Sequence, residues 1–329
     1  MASVTKDLNS MLFTYLILIA GFFILIVGAN FLVEGAASLG KKLKMSSAII
    51  GFTIVAVGTS LPELIINVFA SIEQKTDLAI ANVIGSNIMN TLLVIGVAAA
   101  FFPIIPDRKT LSSFLPLSLM SALLLAFFAG ISFSSEASMA SINRSEGIIL
   151  FLLFFGFLMF SWNFSKKEVV QETAKIKELS VIKSVVYIIL GIIGLYFGGS
   201  WVIEGINQLM MRFGLSEAIV GITIVAVATS LPELVTSIVA ALKKNSGIAL
   251  GNALGSNIVN VFLVLGISAI ITPLTYSSHL NLDVTIMAVS NVAVFFFVIV
   301  GKGRQITRAE GIIMMMIYFS YITWLIVKG

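Results

Sequence analysis

The chain has 329 residues, of which 58% are hydrophobic and 11% charged. A soluble domain carries roughly 25% charged residues, so this composition cannot cover a water-facing surface and describes a polytopic membrane protein. The lack of cysteine excludes disulfides, thiolate metal sites and cysteine nucleophiles; the single histidine, His279, excludes a histidine-based metal site; and a net charge of +4 spread among loops does not point to nucleic acid.

Apolar runs of about 20 residues, the length that crosses a bilayer core, recur ten times. They fall at 11–38, 46–72, 78–101, 111–130, 146–164, 184–210, 216–242, 248–271, 282–300 and 310–327. The first runs too long for a cleavable signal peptide and has no small-residue cleavage site, so it is expected to remain as a span. The second carries Thr59-Ser60-Leu61-Pro62-Glu63-Leu64, a carboxylate, two hydroxyls and a proline inside an apolar segment. The third carries Asn82, Ser86 and Asn90 at i, i+4 and i+8, on one helical face. After the fifth span comes the only substantial hydrophilic stretch, 166–183, which reads as a solvated linker. The seventh span then repeats Thr229-Ser230-Leu231-Pro232-Glu233-Leu234, and the eighth repeats Asn252, Ser256 and Asn260.

The two halves are copies. A shift of 170 positions aligns Gly21 with Gly191, Gly28 with Gly198, Glu34 with Glu204, Glu63 with Glu233, Asn90 with Asn260 and Pro103 with Pro273, and about half the positions of 51–96 are identical to 221–266. Later the offset changes, and Arg144-Ser145-Glu146-Gly147 pairs with Arg308-Ala309-Glu310-Gly311. The organisation is therefore a first five-helix repeat at 1–165, a linker at 166–183 and a second repeat at 184–329. Five spans is an odd number, so the second copy enters the membrane from the opposite face, the inverted-repeat plan of many secondary transporters. Five Lys and Arg residues fall on the amino-terminal side of the membrane against fifteen on the other. Positive charge stays cytoplasmic, which predicts both termini outside and the linker inside.

Thr59, Ser60 and Glu63 lie at spacings that turn both hydroxyls and the carboxylate together. Pro62 lacks an N–H and crowds the carbonyl of Gly58, so the helix is expected to break there; Pro232 does the same to Ala228. Broken backbone at membrane depth is tolerated where it is buried in protein or lines a cavity. Carbonyls, hydroxyls and carboxylates are hard oxygen ligands suited to Ca²⁺ and Na⁺. An ionisable residue at this depth marks a functional site. For Asn82, Asn87, Asn252 and Asn257, helix packing is an equal alternative. Arg144, Arg308, Glu146 and Glu310 are expected to snorkel at span ends, and Glu34 and Glu204 to be solvated at helix ends.

Gly58-Thr59-Ser60-Leu61-Pro62-Glu63 followed by Gly85-Ser86-Asn87-Ile88-Met89-Asn90, repeated from Ala228 and from Gly255, resembles the alpha repeats of the sodium/calcium exchanger branch of the cation/Ca²⁺ exchanger superfamily. The resemblance covers essentially the whole chain, and the short linker is similar to that of prokaryotic members. It implies an all-α fold of ten transmembrane helices, with helices 2 and 7 broken. It also implies Na⁺/Ca²⁺ antiport by alternating access in a plasma or inner membrane, with the first and sixth spans moving against the core. Glu63, Glu233, Thr59 and Thr229 would form the Ca²⁺ site. An outer Na⁺ site would use Glu63, Ser86, Thr229, Ser230 and the carbonyl of Ala226. Its counterpart would use Glu233, Ser256, Thr59, Ser60 and the carbonyl of Ala56. Asn90 and Asn260 would flank the centre. Ca²⁺, Na⁺ and the lipid bilayer are the implied partners; no cofactor, nucleic acid or obligatory protein partner is.

Many sodium/calcium and potassium-dependent exchangers carry aspartate where this chain has Asn260. An amide cannot ionise, so the pocket keeps two carboxylates, which argues against potassium dependence. Two readings stay open beside the Na⁺-coupled one: a proton-coupled divalent antiporter of the same fold, and a cation channel. An intramembrane enzyme is poorly supported, because neither Ser60 nor Ser230 has a general base beyond those glutamates.

Overall fold

Continuous apolar sequence without water-facing charge folds as helices, because only internally satisfied backbone is stable in hydrocarbon. A computed structural model of the chain describes residues 2–106, 110–128, 141–165, 178–212, 229–300 and 305–328. In chain order its helices are α1 (Ala2–Lys42), α2 (Ser47–Thr59), α3 (Leu61–Ile72), α4 (Thr76–Phe101), α5 (Ser112–Phe128), α6 (Arg144–Ser165), α7 (Val181–Arg212), α8 (Leu231–Leu242), α9 (Ser246–Ile271), α10 (Asn281–Val300) and α11 (Arg308–Lys328). Among the described residues, seven helices are long and apolar enough to cross a membrane, or eight when α2 and α3, bent by 45° at Ser60, count as one span. The expected spans at 111–130 and 216–242 correspond to the shorter helices α5 and α8; residues 216–228 of the latter lie outside the described residues.

Burial sorts these helices into centre and rim. In their most apolar windows α4 and α9 are 83% and 78% buried, whereas α7 and α11 are 22% and 17%. The two helices that follow the glutamate motifs are therefore the inner pair. Helices α1 and α7 pack mainly against each other at the rim. Their contact relies on glycines at seven-residue spacing: a Cβ added at Gly28 would lie 2.8 Å from the backbone N of Leu195, and one at Gly191 would lie 2.6 Å from that of Leu32. Glycine allows this approach of two helix backbones, which in a membrane supplies much of the packing energy.

An ion pair ties the rim to the core. Lys243 Nζ, just past α8, lies 2.9 Å from Glu34 Oε1 of α1, so Glu34 is a bridge rather than the solvated helix end expected of it. Short paired segments join the loops: Ser141–Ile142 (β1) runs antiparallel to Leu274–Thr275 (β2), and Ile104 bridges Ile306. The charged residues expected to snorkel have more specific roles. Glu146 Oε2 accepts from the Asn143 N–H at 2.7 Å while the Glu146 N–H donates to Asn143 Oδ1 at 3.0 Å, a reciprocal cap at the start of α6. Glu310 and Thr307 do the same for α11 at 2.7 and 3.3 Å. Arg144 and Arg308 donate to the carbonyls of Ile271 and Phe101, at the ends of α9 and α4, at 3.3 and 3.4 Å. Those carbonyls have no partner within their own helices.

Candidate functional site

Pro62 sits in the first turn of α3, where its missing N–H is no loss, and the helical path breaks one step earlier at Ser60 (φ −84°, ψ 8°). Glu63 therefore occupies the first turn of a new helix, whose unpaired N–H groups and positive dipole end favour a carboxylate. The second copy builds the same corner: Ser230 has φ −89° and ψ 4°, Pro232 follows, and Glu233 lies in the first turn of α8. Both glutamates are fully buried. A charged side chain at membrane depth costs on the order of 3 kcal/mol, so each buried glutamate calls for a proton, a cation or hydrogen-bond donors.

Each corner is completed by the other repeat. Ser60 Oγ donates to Glu233 Oε1 at 3.0 Å, and Ser230 Oγ donates to Glu63 Oε1 at 3.4 Å. Ser256 of α9 adds a second donor to Glu233 Oε1 at 3.2 Å. Thr59 Oγ1 donates to Asn252 Oδ1 at 3.0 Å and lies 3.4 Å from Ser256 Oγ. Its counterpart Thr229 donates to Asn82 Oδ1 at 3.4 Å and lies 3.4 Å from Ser86 Oγ. Glu63 Oε2 and Glu233 Oε2 have no hydrogen-bond partner among the described residues. A hydroxyl that donates keeps its lone pairs, so the serines that hold the glutamates, and the threonines that donate to Asn82 and Asn252, can still offer oxygen to a cation.

Of the residues singled out in the sequence, the structure brings Glu63, Thr229, Ser230 and Ser86 into one cluster and Glu233, Thr59, Ser60 and Ser256 into the other. The Ala56 carbonyl accepts from the Ser60 N–H at 3.0 Å and lies 3.3 Å from Thr59 Oγ1. Ala226 and Ala228 lie outside the described residues. Asn90 and Asn260 are fully buried, and each opens a π-helical turn, Asn90–Val94 in α4 and Asn260–Leu265 in α9. Such turns widen a helix locally and frequently accompany functional sites. Among the described residues, neither Asn90 amide atom nor Asn260 Oδ1 has a partner.

The residues behind this layer are less visible in the sequence. Asn82 Nδ2 donates to Asn67 Oδ1 at 2.7 Å, and Asn67 Nδ2 to the Ala79 carbonyl at 2.9 Å. In the second repeat Asn252 Nδ2 donates to Ser237 Oγ at 2.9 Å, and Ser237 Oγ to the Ala249 carbonyl at 3.2 Å. Asn82 and Asn252 thus link a threonine of the other repeat to the preceding helix of their own, α3 and α8 respectively. Asn67 could have been found as a polar residue four positions after Glu63 on the same face. Among the described residues no three His, Asp or Glu side chains gather in one place. What the centre provides is two carboxylates with hydroxyl and amide oxygens, a set matched to hard cations.

The sequence matches the family described as sodium/calcium exchanger protein over residues 13–163 and 183–327. It is 33% identical to CaxA of Alkalimonas amylolytica over 320 residues, covering 94% of this chain and 98% of that one. It is 30% identical to the sodium/calcium exchanger MaX1 of Methanosarcina acetivorans over 340 residues, covering 94% and 97%. Among solved structures, the sodium-calcium exchanger NCX_Mj soaked with 10 mM Na⁺ and zero Ca²⁺ superposes with a TM-score of 0.80 at 28% identity, over 95% of this chain and 99% of that one.

Proposed function

This chain belongs to the sodium/calcium exchanger family, and from that premise we propose that it is a secondary antiporter that exchanges Na⁺ for Ca²⁺. The observation that carries the reading is the cross-repeat pair: each buried glutamate is held through Oε1 by a serine of the other repeat. The second oxygen of each carboxylate is left without a partner among the described residues. A cation at the centre would touch both repeats at once and replace the fixed basic residue that neither glutamate has in the sequence motif. Glu63, Glu233, Thr59 and Thr229 are the Ca²⁺ ligands in this reading. Ser86 and Ser230 with the Ala226 carbonyl, and Ser60 and Ser256 with the Ala56 carbonyl, extend the two clusters into Na⁺ sites. Because the glutamates serve both ions, one type displaces the other, and that competition is what couples the two fluxes.

Coupling also requires that the empty pocket resist rearrangement. Two bare carboxylates in hydrocarbon are strongly disfavoured, whereas two carboxylates with one divalent ion are nearly neutral. The loaded pocket therefore permits the rim pair α1 and α7 to shift against the core, and the unloaded one does not. Ten crossings arranged as inverted five-helix repeats fit the loop contacts. Ile104 and Ile306 belong to loops assigned to the linker side, and β1 and β2 to loops assigned to the side of the termini. Inward Na⁺ flow would expel Ca²⁺ across the plasma or inner membrane. With Asn260 in place of an acid, exchange is independent of K⁺.

The test is flux in proteoliposomes with Na⁺, K⁺ and pH gradients varied independently. An outward Na⁺ gradient is expected to drive uptake of radiolabelled Ca²⁺, with no need for K⁺, and Glu63→Gln or Glu233→Gln to abolish it. Uptake that follows the pH gradient alone would instead identify proton coupling, and normal flux in either glutamine variant would sink the assignment.

A further inference from the structure

Asparagine at position 260 poses a problem that an aspartate would not. Both ends of a carboxylate are oxygen acceptors, but only one end of an amide is, and the other carries two N–H donors that repel a cation. Asn260 can serve a cation site only if its NH₂ is held elsewhere. It lies one helical turn after Ser256, on the same face of α9, and is fully buried. Its Nδ2 donates to Asn87 Oδ1 at 3.1 Å, while its Oδ1 has no partner among the described residues.

Asn87 is itself unable to turn round. Its Nδ2 donates to the backbone carbonyl of Asn257 at 3.4 Å and approaches Met287 Sδ at 3.7 Å. A backbone carbonyl is only an acceptor, so Asn87 must present its NH₂ there and its oxygen to Asn260. That in turn requires Asn260 to present nitrogen to Asn87 and oxygen to the other side.

The other repeat lacks this clamp, and its network differs at one residue. Asn257 is the sequence counterpart of Asn87, but its Nδ2 donates to Thr91 Oγ1 at 2.8 Å, and Thr91 Oγ1 donates to the Asn87 carbonyl at 2.8 Å. Thr91 thus inserts a hydroxyl into the bond that symmetry would make direct; its own counterpart, Val261, has none. Asn257 Oδ1 and both amide atoms of Asn90 are left without partners among the described residues.

We infer that Asn87 is a positioning residue, which fixes the Asn260 amide with its carbonyl oxygen toward the transported cation, while Asn90 on the opposite side is not fixed in this way. The inference rests on the exchanger reading. It distinguishes Asn87 from a residue that merely packs, because the need for orientation vanishes when position 260 carries an acid.

The experiment is a mutant cycle read in Na⁺-driven Ca²⁺ uptake. Asn87→Ala in the native background is expected to raise the half-saturating Ca²⁺ concentration at least tenfold. In an Asn260→Asp background the same change is expected to shift it less than twofold. Asn87→Ser is carried in parallel in both backgrounds to guard against a folding defect, with the same dependence on position 260 and a smaller shift. Equal shifts in the two backgrounds, or no shift in the native one, would overturn the inference and leave the exchanger reading intact. No Na⁺-driven uptake by the unmodified chain would overturn both.

Discussion

Ser60 and Ser256 both donate to the same oxygen of Glu233, at 3.0 and 3.2 Å. A hydrogen bond to a charged acceptor contributes about 1.5–3 kcal/mol, but a remaining donor recovers part of that when the other is lost. Either Ser60→Ala or Ser256→Ala alone is therefore expected to cost about 1 kcal/mol, roughly fivefold in apparent ion affinity, and the double change more than the product of the two. Ion-concentration curves of proteoliposome uptake measure this directly; strictly multiplicative effects would mean that the serines act on different groups. The glutamates, serines and threonines are legible from sequence because an ionisable group in an apolar span is too costly to keep without a function. Asn67 and Thr91 do not stand out in the same way, since a lone amide or hydroxyl in a membrane helix ordinarily serves packing. What distinguishes Thr91 is a partner 166 residues away. The difference from Val261 is visible in the alignment of the halves, but its meaning is not.

Where the glycines of α1 and α7 face each other, the two helix backbones come into close contact. A methyl group at Gly191 would fall 2.6 Å from the Leu32 N and 2.8 Å from its Cα, atoms that cannot rotate away. Gly191→Ala is expected to prise the pair apart and cut transport severalfold, while Ca²⁺-dependent thermal stabilisation in detergent persists because the ligands lie on other helices. Loss of both in parallel would place α7 in the binding site itself. The break between α2 and α3 follows from Pro62 and the local chemistry of proline. The π-helical turns at Asn90 and Asn260 have no such signature. Likewise Glu146 and Glu310 look like interfacial charges in the sequence, although Asn143 and Thr307 three residues earlier spell a capping box.

The orientation of the molecule rests on the Lys and Arg bias between loops, and the lack of cysteine makes it simple to measure. Lys75 and Lys244 are both exposed. A membrane-impermeant maleimide is expected to label Lys75→Cys in intact cells and Lys244→Cys only in inverted vesicles. Labelling of both from one face would refute the inverted arrangement. Repetition makes the global plan readable, because the motif and its neighbours recur at one offset through 51–96 and 221–266. The linkage between rim and core is not readable in that way, since it depends on a residue where the copies differ. Lys243 pairs with Glu34, but the equivalent positions in the other copy are Glu73 and Glu204, two acids that cannot form such a bridge. The pair is about one-third exposed, which limits its worth to roughly 0.5 kcal/mol. In the proposed exchange cycle, a bridge on one face alone makes opening there cost up to that much more than on the other.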